Sequence, residues 1–289
     1  MENDKQPWYA IEAVDQLDSP ALVVYPERVK YNIDLAIQMV GDPARLRPHV
    51  KTNKSIEATR LMMDAGISQF KCSTIAEAEM LALAGARDVL LAYQPVGPKV
   101  DRLMQLAKSF PATNFSCLTD NQLAAAVIAG KALDHDLVMP VYLDLNVGMN
   151  RTGITPGPDA FRLYIEVSKM DGLRVFGLHA YDGHVRESDL ALRTAQVDAA
   201  FEPVYALKSE LEAAGFPVGA LIAGGSPSFP IHAGRKGEVC SPGTFIYWDK
   251  GYSDKFPDQL FLHAALVVTR VISKPAKGRI TLDLGHKSI

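Results

Sequence analysis

"RLRPHVKTNK", residues 45–54, decides how the rest of the chain is read. A strand-like run over 45–50 ends at Lys51, and Lys54 follows three residues later. Lysines ordinarily sit where the ammonium stays hydrated, on helix faces and loop rims. One placed where a buried strand runs out is aimed at whatever lies beyond that strand. Its meaning depends on the sheet to which the strand belongs.

Working outward, short β-prone runs recur at 69–72 (QFKC), 88–92 (DVLLA), 113–117 (TNFSC) and 137–145 (LVMPVYLDL). Three more follow at 173–179 (LRVFGLH), 218–223 (VGALIA) and 238–241 (EVCS). Between them the apolar residues are spaced three and four apart, the helical period. In 55–66 (SIEATRLMMDAG), Ser55 is placed to cap a helix and Gly66 to end it. In 73–86, Thr74 precedes Glu77 by three residues, the spacing of a capping box. A further helix over 27–40 precedes the first of the eight strands.

Eight strands alternating with helices, several of them continuously apolar, predict a parallel α/β sheet covered on both faces. Their number and spacing predict a closed eight-stranded (β/α)8 TIM-like barrel. An open doubly wound sheet is the competing architecture. Its dinucleotide-binding version needs a G-x-G-x-x-G after the first strand, which this chain lacks, and no Walker-type G-x-x-x-x-G-K is present.

Past residue 255 the pattern changes. Segments 262–274 and 279–285 read as strands paired without an intervening helix, the start of an antiparallel β-domain. The expected division is a barrel over 19–255 and an incomplete C-terminal β-domain formed by 256–289 with 1–18. The chain stops at Ile289 just after a strand, so the β-domain is expected to be truncated and the protein to be longer.

The 289 residues carry a formal net charge of −3, with no basic excess to bind nucleic acid. The longest apolar runs, such as 123–130 (LAAAVIAG), are too short to span a bilayer. The polar N-terminus lacks the charged start and apolar core of a secretory signal. A cytoplasmic protein is expected. Cys72, Cys117 and Cys240 match no zinc or redox spacing and read as small buried hydrophobes.

In a barrel of this kind the reacting groups gather where the strands end. Lys51 follows the first strand; partial burial and a neighbouring cation, His49 or Lys54, would favour its neutral, nucleophilic form and suit a Schiff base. Strand five runs into 144–153 (DLNVGMNRTG), where glycines flank Arg151. Strand six ends in 177–184 (GLHAYDGH), with His179, Tyr181, Asp182 and His184. Strand seven ends in 223–228 (AGGSPS) and strand eight in 240–249 (CSPGTFIYWD), offering glycine amides and hydroxyls as a phosphate nest. An amine after strand one with two phosphate-type loops after seven and eight describes pyridoxal phosphate.

Taken in order, "SPALVVYPERVKYNI", "LRPHVKTNK", "NVGMNRTGI", "GGSPS" and "SPGTFIYWD" resemble the fold-type III pyridoxal-phosphate enzymes. Within them the chain is similar to the D-threonine aldolase and D-serine dehydratase branch of the alanine racemase-like superfamily, from Ser19 to Lys287. The resemblance implies that Lys51 forms the Schiff base and that Arg151 lies near the cofactor's phenolic oxygen and the substrate carboxylate. It places Tyr181 against the pyridine face, and Gly224, Gly225, Ser226, Gly243 and Thr244 in the phosphate turns, with Tyr247 nearby. His49 is expected in the cofactor-binding set, with an alternative reading as a hydrogen-bonding group of the barrel mouth.

The implied activity is a lyase cleaving D-configured β-hydroxy amino acids to glycine and an aldehyde. Alternatives are a D-serine dehydratase-like ammonia-lyase, an amino acid racemase, or a pyridoxal-phosphate homeostasis protein without robust catalysis. The branch often carries a histidine where this chain has Asn53, which cannot act as a base, so His179 and His184 are the local candidates. The branch also binds a divalent metal, zinc or manganese, through a β-domain pair that this sequence does not contain; a metal site on Asp182 and His184 is the weaker alternative. A homodimer, with each β-domain reaching its neighbour's barrel, is implied as well.

Overall fold

The computed structural model describes residues 7–285; His286 and Lys287 lie outside them. In chain order the elements are β1 (Ala21–Val24), α1 (Pro26–Val40), α2 (Ile56–Asp64), β2 (Gln69–Cys72), α3 (Ile75–Ala84) and β3 (Asp88–Leu91). Next come α4 (Pro98–Ser109), β4 (Asn114–Thr119), α5 (Gln122–Asp134), β5 (Met139–Leu145), α6 (Pro158–Ser168) and β6 (Leu173–Ala180). The chain continues through α7 (Leu190–Ala213), β7 (Ala220–Ala223), α8 (Phe229–Ala233), β8 (Glu238–Cys240) and α9 (Lys250–Lys255). It ends with β9 (Ala265–Val268), β10 (Val271–Ala276) and β11 (Arg279–Leu282).

Strands β2 to β8 form one parallel sheet in sequential order. The predicted first strand, 45–50, is not a regular strand. Its first residue, Arg45, is the last of a 3-10 turn at Pro43–Arg45, and the rest makes two isolated parallel bridges, Leu46 with Cys240 and His49 with Lys71. Pro48 has no N–H to donate, so a continuous ladder cannot form there. The bonds that remain still join the two edges. Arg47 N donates to Cys240 O at 2.8 Å, Val50 N to Lys71 O at 2.9 Å, and Lys71 N to Pro48 O at 2.9 Å. The barrel closes through this segment.

Helix starts follow the predicted chemistry. Ser55 Oγ accepts from Ala58 N at 3.1 Å, and Gly66 ends the turn after α2 with φ +95°. Thr74 Oγ1 accepts from Glu77 N at 3.1 Å, while Glu77 reaches back to Ser73 N at 2.7 Å rather than to Thr74 N.

Side chains alternate across each strand. Phe70, Cys72, Val89 and Leu91 face the helices in the main core, while Leu90, Leu118, Tyr142 and Ile222 pack together inside the barrel. Cys72, Cys117 and Cys240 are buried and free of disulfides.

The C-terminal strands differ from their predicted pairing. Segment 262–274 is not one strand: it breaks at Thr269 and Arg270 into β9 and β10. β9 pairs antiparallel with β1, and only β10 pairs with β11. Asp283 organises the break, its carboxylate accepting from Thr269 Oγ1 at 2.6 Å and Arg270 N at 2.9 Å. Among the described residues no helix is long and apolar enough to cross a membrane.

Candidate active site

The C-terminal ends of the barrel strands converge on one cavity. It is lined by His49, Lys51, Lys71, Tyr181, Gly225, Ser226, Ser241, Gly243, Thr244 and Tyr252. Seven of these ten are residues that the sequence singles out; Lys71, Ser241 and Tyr252 are additions. A larger cavity of ≈ 520 Å³ opens at the ends of β2 and β3, where Tyr93 forms part of its wall. It shares no lining residue with the first cavity.

Lys51 sits in the turn after the closing segment, with its backbone N 3.2 Å from His49 Nδ1. Burial of the ammonium, reinforced by Arg151, lowers the Lys51 pKa, and Glu77 opposes the shift. His49 is buried, and with Lys71 and Lys51 beside it its pKa lies well below the ordinary value, so its ring is neutral. Lys54 takes a positive φ of 45° after the turn and does not line the cavity.

Tyr181 is the centre of the site. Three cations lie around its ring: Arg151 with its guanidinium carbon 5.0 Å from the centroid, Lys71 Nζ at 5.7 Å and Lys51 Nζ at 5.8 Å. Arg151 also lies 5.5 Å from the Tyr93 ring. The backs of two glycines seat the tyrosine. A Cβ at Gly225 would come 2.8 Å from Tyr181 Cε2, and one at Gly183 would come 2.2 Å from the same ring.

The loops after β7 and β8 meet at Ser226. Its Oγ accepts from Gly243 N at 3.3 Å and from Thr244 N at 3.0 Å. Two backbone amides thus converge on one hydroxyl oxygen, the place an anion's oxygen would take if the Ser226 side chain turned aside. Gly243 can have no side chain here, since a Cβ would meet His49 O at 2.8 Å. Gly224, with φ +73°, lies behind the loop against His232 and does not reach the cavity. Tyr247 also lies outside the cavity wall; the aromatic ring on that side is Tyr252, at the start of α9.

Of the two candidate histidines, His179 is buried beneath the site. Its Nδ1 is 2.6 Å from Asp144 Oδ1 and its Nε2 is 2.9 Å from Lys71 Nζ, so both nitrogens are committed. Burial first, then Lys71, lowers its pKa despite Asp144. His184 is exposed and packs on the turn after β5, where a Cβ on Gly148 would come within 2.7 Å of Nε2.

Asp182 and His184 do not come together as a metal pair. The Asp182 carboxylate is fully buried and taken by His232 Nε2 at 2.9 Å and Ser228 Oγ at 2.7 Å. Among the described residues no group of three or more His, Cys, Asp or Glu is arranged to hold a metal ion.

Sequence reasoning passed over Lys71. The signal lay in the run QFKC, where period-two alternation turns a lysine inward between two outward apolar residues. Burial and the Lys51 charge lower its pKa to about 7. Ser241 had a weaker signal, a hydroxyl at the end of β8.

Chemically, the cavity offers an amine of lowered basicity, an aromatic face and two convergent amides; Arg151 is exposed and outside the lining, its guanidinium reaching the Tyr181 ring. This donor set fits a phosphorylated aromatic aldehyde: amine to the carbonyl, ring against ring, amides to the phosphate.

Known proteins resemble this chain in sequence and fold. The chain is 26% identical over 281 residues to a D-threonine aldolase of an Arthrobacter species, a match covering 94% of this chain and 73% of that protein. It is 28% identical over 290 residues to a 3-hydroxy-D-aspartate aldolase of Paracoccus denitrificans strain Pd 1222, with the same coverages of 94% and 73%. A D-threo-3-hydroxyaspartate dehydratase of Delftia sp. strain HT23 is 28% identical over 241 residues, covering 81% of this chain and 62% of that protein. The crystal structure of D-threonine aldolase from Filomicrobium marinum superposes with a TM-score of 0.87 at 27% identity, over 95% of this chain and 75% of that one. Residues 24–251 match the family model described as the alanine racemase N-terminal domain. The segment so matched spans the whole barrel and every cavity residue except Tyr252, and the chain belongs to the alanine racemase N-terminal domain family.

Proposed function

We propose that this protein is a pyridoxal-phosphate-dependent lyase that cleaves D-configured β-hydroxy amino acids, as a D-threonine aldolase does, to glycine and an aldehyde. The carrying observation is the ring of Lys51, Arg151 and Lys71 about Tyr181, in a cavity that Gly243 and Thr244 also line. Two relatives named as aldolases and one named as a dehydratase support the same class.

In this reading Lys51 would hold the cofactor's carbonyl carbon, and its lowered pKa favours the free amine that this bond requires. The amides of Gly243 and Thr244, with Ser226, hold the phosphate. Tyr181 carries the pyridine ring on its face. When bound, pyridoxal phosphate supplies the electron sink for bond cleavage at Cα. Arg151 would lie near the cofactor's phenolic oxygen and orient the substrate carboxylate, its planar fork suiting a carboxylate better than an ammonium would. Because both nitrogens of His179 are occupied, it orients Lys71 rather than moving the substrate's proton. His184 is left to take the β-hydroxyl proton from the exposed side. A cytoplasmic homodimer and a divalent-metal requirement belong to the same reading.

The test is the absorbance of the purified protein with added pyridoxal phosphate, beside Lys51→Ala. A band near roughly 420 nm that borohydride bleaches, absent from the variant, supports the reading. No such band in the folded wild-type protein overturns it. Incubation with D-threonine, with and without Zn²⁺ or Mn²⁺, then separates the two lyase types. Glycine with acetaldehyde marks an aldolase; 2-oxobutanoate with ammonia marks the dehydratase that the Delftia relative makes the second reading.

A further inference from the structure

Lys71 has no chemical role in the scheme above, yet its ammonium is buried in the barrel. Its side chain projects inward from β2 above the apolar layer of Leu90, Leu118 and Ile222, and the residue is 3% exposed. Burying an ammonium in such surroundings is costly unless its protons are well used. Two are accounted for. Ser241 Oγ accepts at 2.7 Å, itself pointing on to Gly224 O at 3.4 Å. His179 Nε2 accepts at 2.9 Å, because Nδ1–H is directed at Asp144. The third has no hydrogen-bond partner among the described residues, and Lys71 lines the cavity beside Lys51.

We propose that Lys71 is a second cofactor-contacting amine, which donates its remaining proton to the ring nitrogen of the bound pyridine from the wall of the Lys51 cavity. The inference rests on the pyridoxal-phosphate reading and extends it. A pyridine of this type stacked on Tyr181 presents three electron-pair or electrophilic positions at its rim besides the phosphate arm. These are the aldehyde carbon, the phenolic oxygen beside it, and the ring nitrogen across the ring from the aldehyde. Three cations surround the Tyr181 ring within 6 Å of its centroid: Lys51, Arg151 and Lys71. With Lys51 assigned to the carbon and Arg151 to the phenolic oxygen, the nitrogen falls to Lys71. A donor there keeps the nitrogen unprotonated, so the ring withdraws electrons less strongly than a pyridinium would.

The test uses 4′-deoxypyridoxine 5′-phosphate, which lacks the aldehyde and so binds without help from Lys51. Its affinity and its ultraviolet spectrum are measured on wild type, Lys71→Met and Lys71→Arg, with the melting temperature of each cofactor-free protein. The expected result is a loss of roughly tenfold to hundredfold in affinity for Lys71→Met, the range of a hydrogen bond from a charged group. The bound analogue should show the neutral-nitrogen spectrum in wild type and shift toward the protonated form in Lys71→Met. Lys71→Arg, which keeps a donor, should recover part of both effects. The cofactor-free Lys71→Met protein should melt at or above the wild-type temperature, since a buried charge has been removed. Unchanged affinity and spectrum in Lys71→Met, with wild type still forming its 420 nm band, overturn this inference alone. A wild-type protein that binds neither the analogue nor pyridoxal phosphate overturns both readings.

Discussion

The imidazole of His232 is clamped to the carboxylate of Asp182, Nε2 to Oδ2 at 2.9 Å, with both groups sealed from solvent behind the Gly224–Ser228 loop. Glu238 Oε2 closes on the other nitrogen at 2.6 Å. Burial alone would drive the His232 pKa down, but the bonds to Asp182 and Glu238 overcome it and raise the pKa above 6.5. The folded state therefore favours the imidazolium. That contribution is fully present below the unfolded pKa and is lost as pH rises through the raised one. His232→Gln should lose about 3 kcal/mol, the usual cost of leaving buried charge unpaired. Melting curves against pH check the sign: the gap between wild type and variant should be widest below about pH 6.5 and narrow toward alkaline pH.

At the other end of the barrel, Arg47 ties the closing segment to the first residues of two strands. Its guanidinium donates to Asp88 Oδ1 at 2.6 Å and Gln69 Oε1 at 2.7 Å, and lies over the Tyr142 ring. Arg47 is buried whereas the Asp88 side chain is 39% exposed, so solvent screens part of the attraction. Arg47→Met should cost about 2 kcal/mol, less than a fully buried pair would. Because the change lies at the opposite end from Lys51, urea unfolding should shift while the 420 nm band of the folded protein stays unchanged.

The barrel was legible because seven of its strands announce themselves as apolar runs between helical periods, and Ser55 and Thr74 mark helix starts by side-chain chemistry alone. The segment 45–50 misled because Pro48 breaks the ladder without ending the extended path, so the strand reduces to two bridges. The 262–274 run misled for another reason. Its break at Thr269 and Arg270 depends on Asp283, fourteen residues beyond Thr269, and no local pattern reports such a contact. Lys51, Arg151 and the glycine loops stood out as chemically odd residues at strand ends. Lys71 did not, since a single lysine in QFKC becomes unusual only once the sheet shows that it points inward. Which histidine is free was likewise hidden, because the partners of His179 come from β2 and β5.

Gly225 offers a test of how tightly the aromatic seat is built. A methyl group there would come 2.8 Å from Tyr181 Cε2, closer than real Cβ contacts allow, so the ring must move. Overpacking of this kind costs about 1–3 kcal/mol, and what must give is the edge of a side-chain ring rather than backbone. Gly225→Ala should therefore leave the melting temperature of the cofactor-free protein within a few degrees of wild type. Spectral titration with pyridoxal phosphate should show affinity reduced by roughly twofold to tenfold, the cost of a displaced stacking face. Equal losses in both measurements would mean that Gly225 serves the fold and not the aromatic seat.

Asp144 governs Lys71 at one remove. Its carboxylate holds the Nδ1–H of His179, and thereby leaves Nε2 as the acceptor that Lys71 requires. Burial would raise the Asp144 pKa, but the His179 bond and charge lower it on balance, so the carboxylate is ionised at neutral pH. In Asp144→Asn the amide can turn its NH₂ to His179 Nδ1, which places a proton on Nε2 facing the Lys71 amine. Two donors then confront one another, and Lys71 must swing away or lose its proton. The variant should weaken 4′-deoxypyridoxine 5′-phosphate binding in the same direction as Lys71→Met, by roughly tenfold. The double variant Asp144→Asn/Lys71→Met should bind no worse than Lys71→Met, since the two residues act through one chain of bonds. Additive losses in that cycle would show that Asp144 acts on the cofactor independently of Lys71.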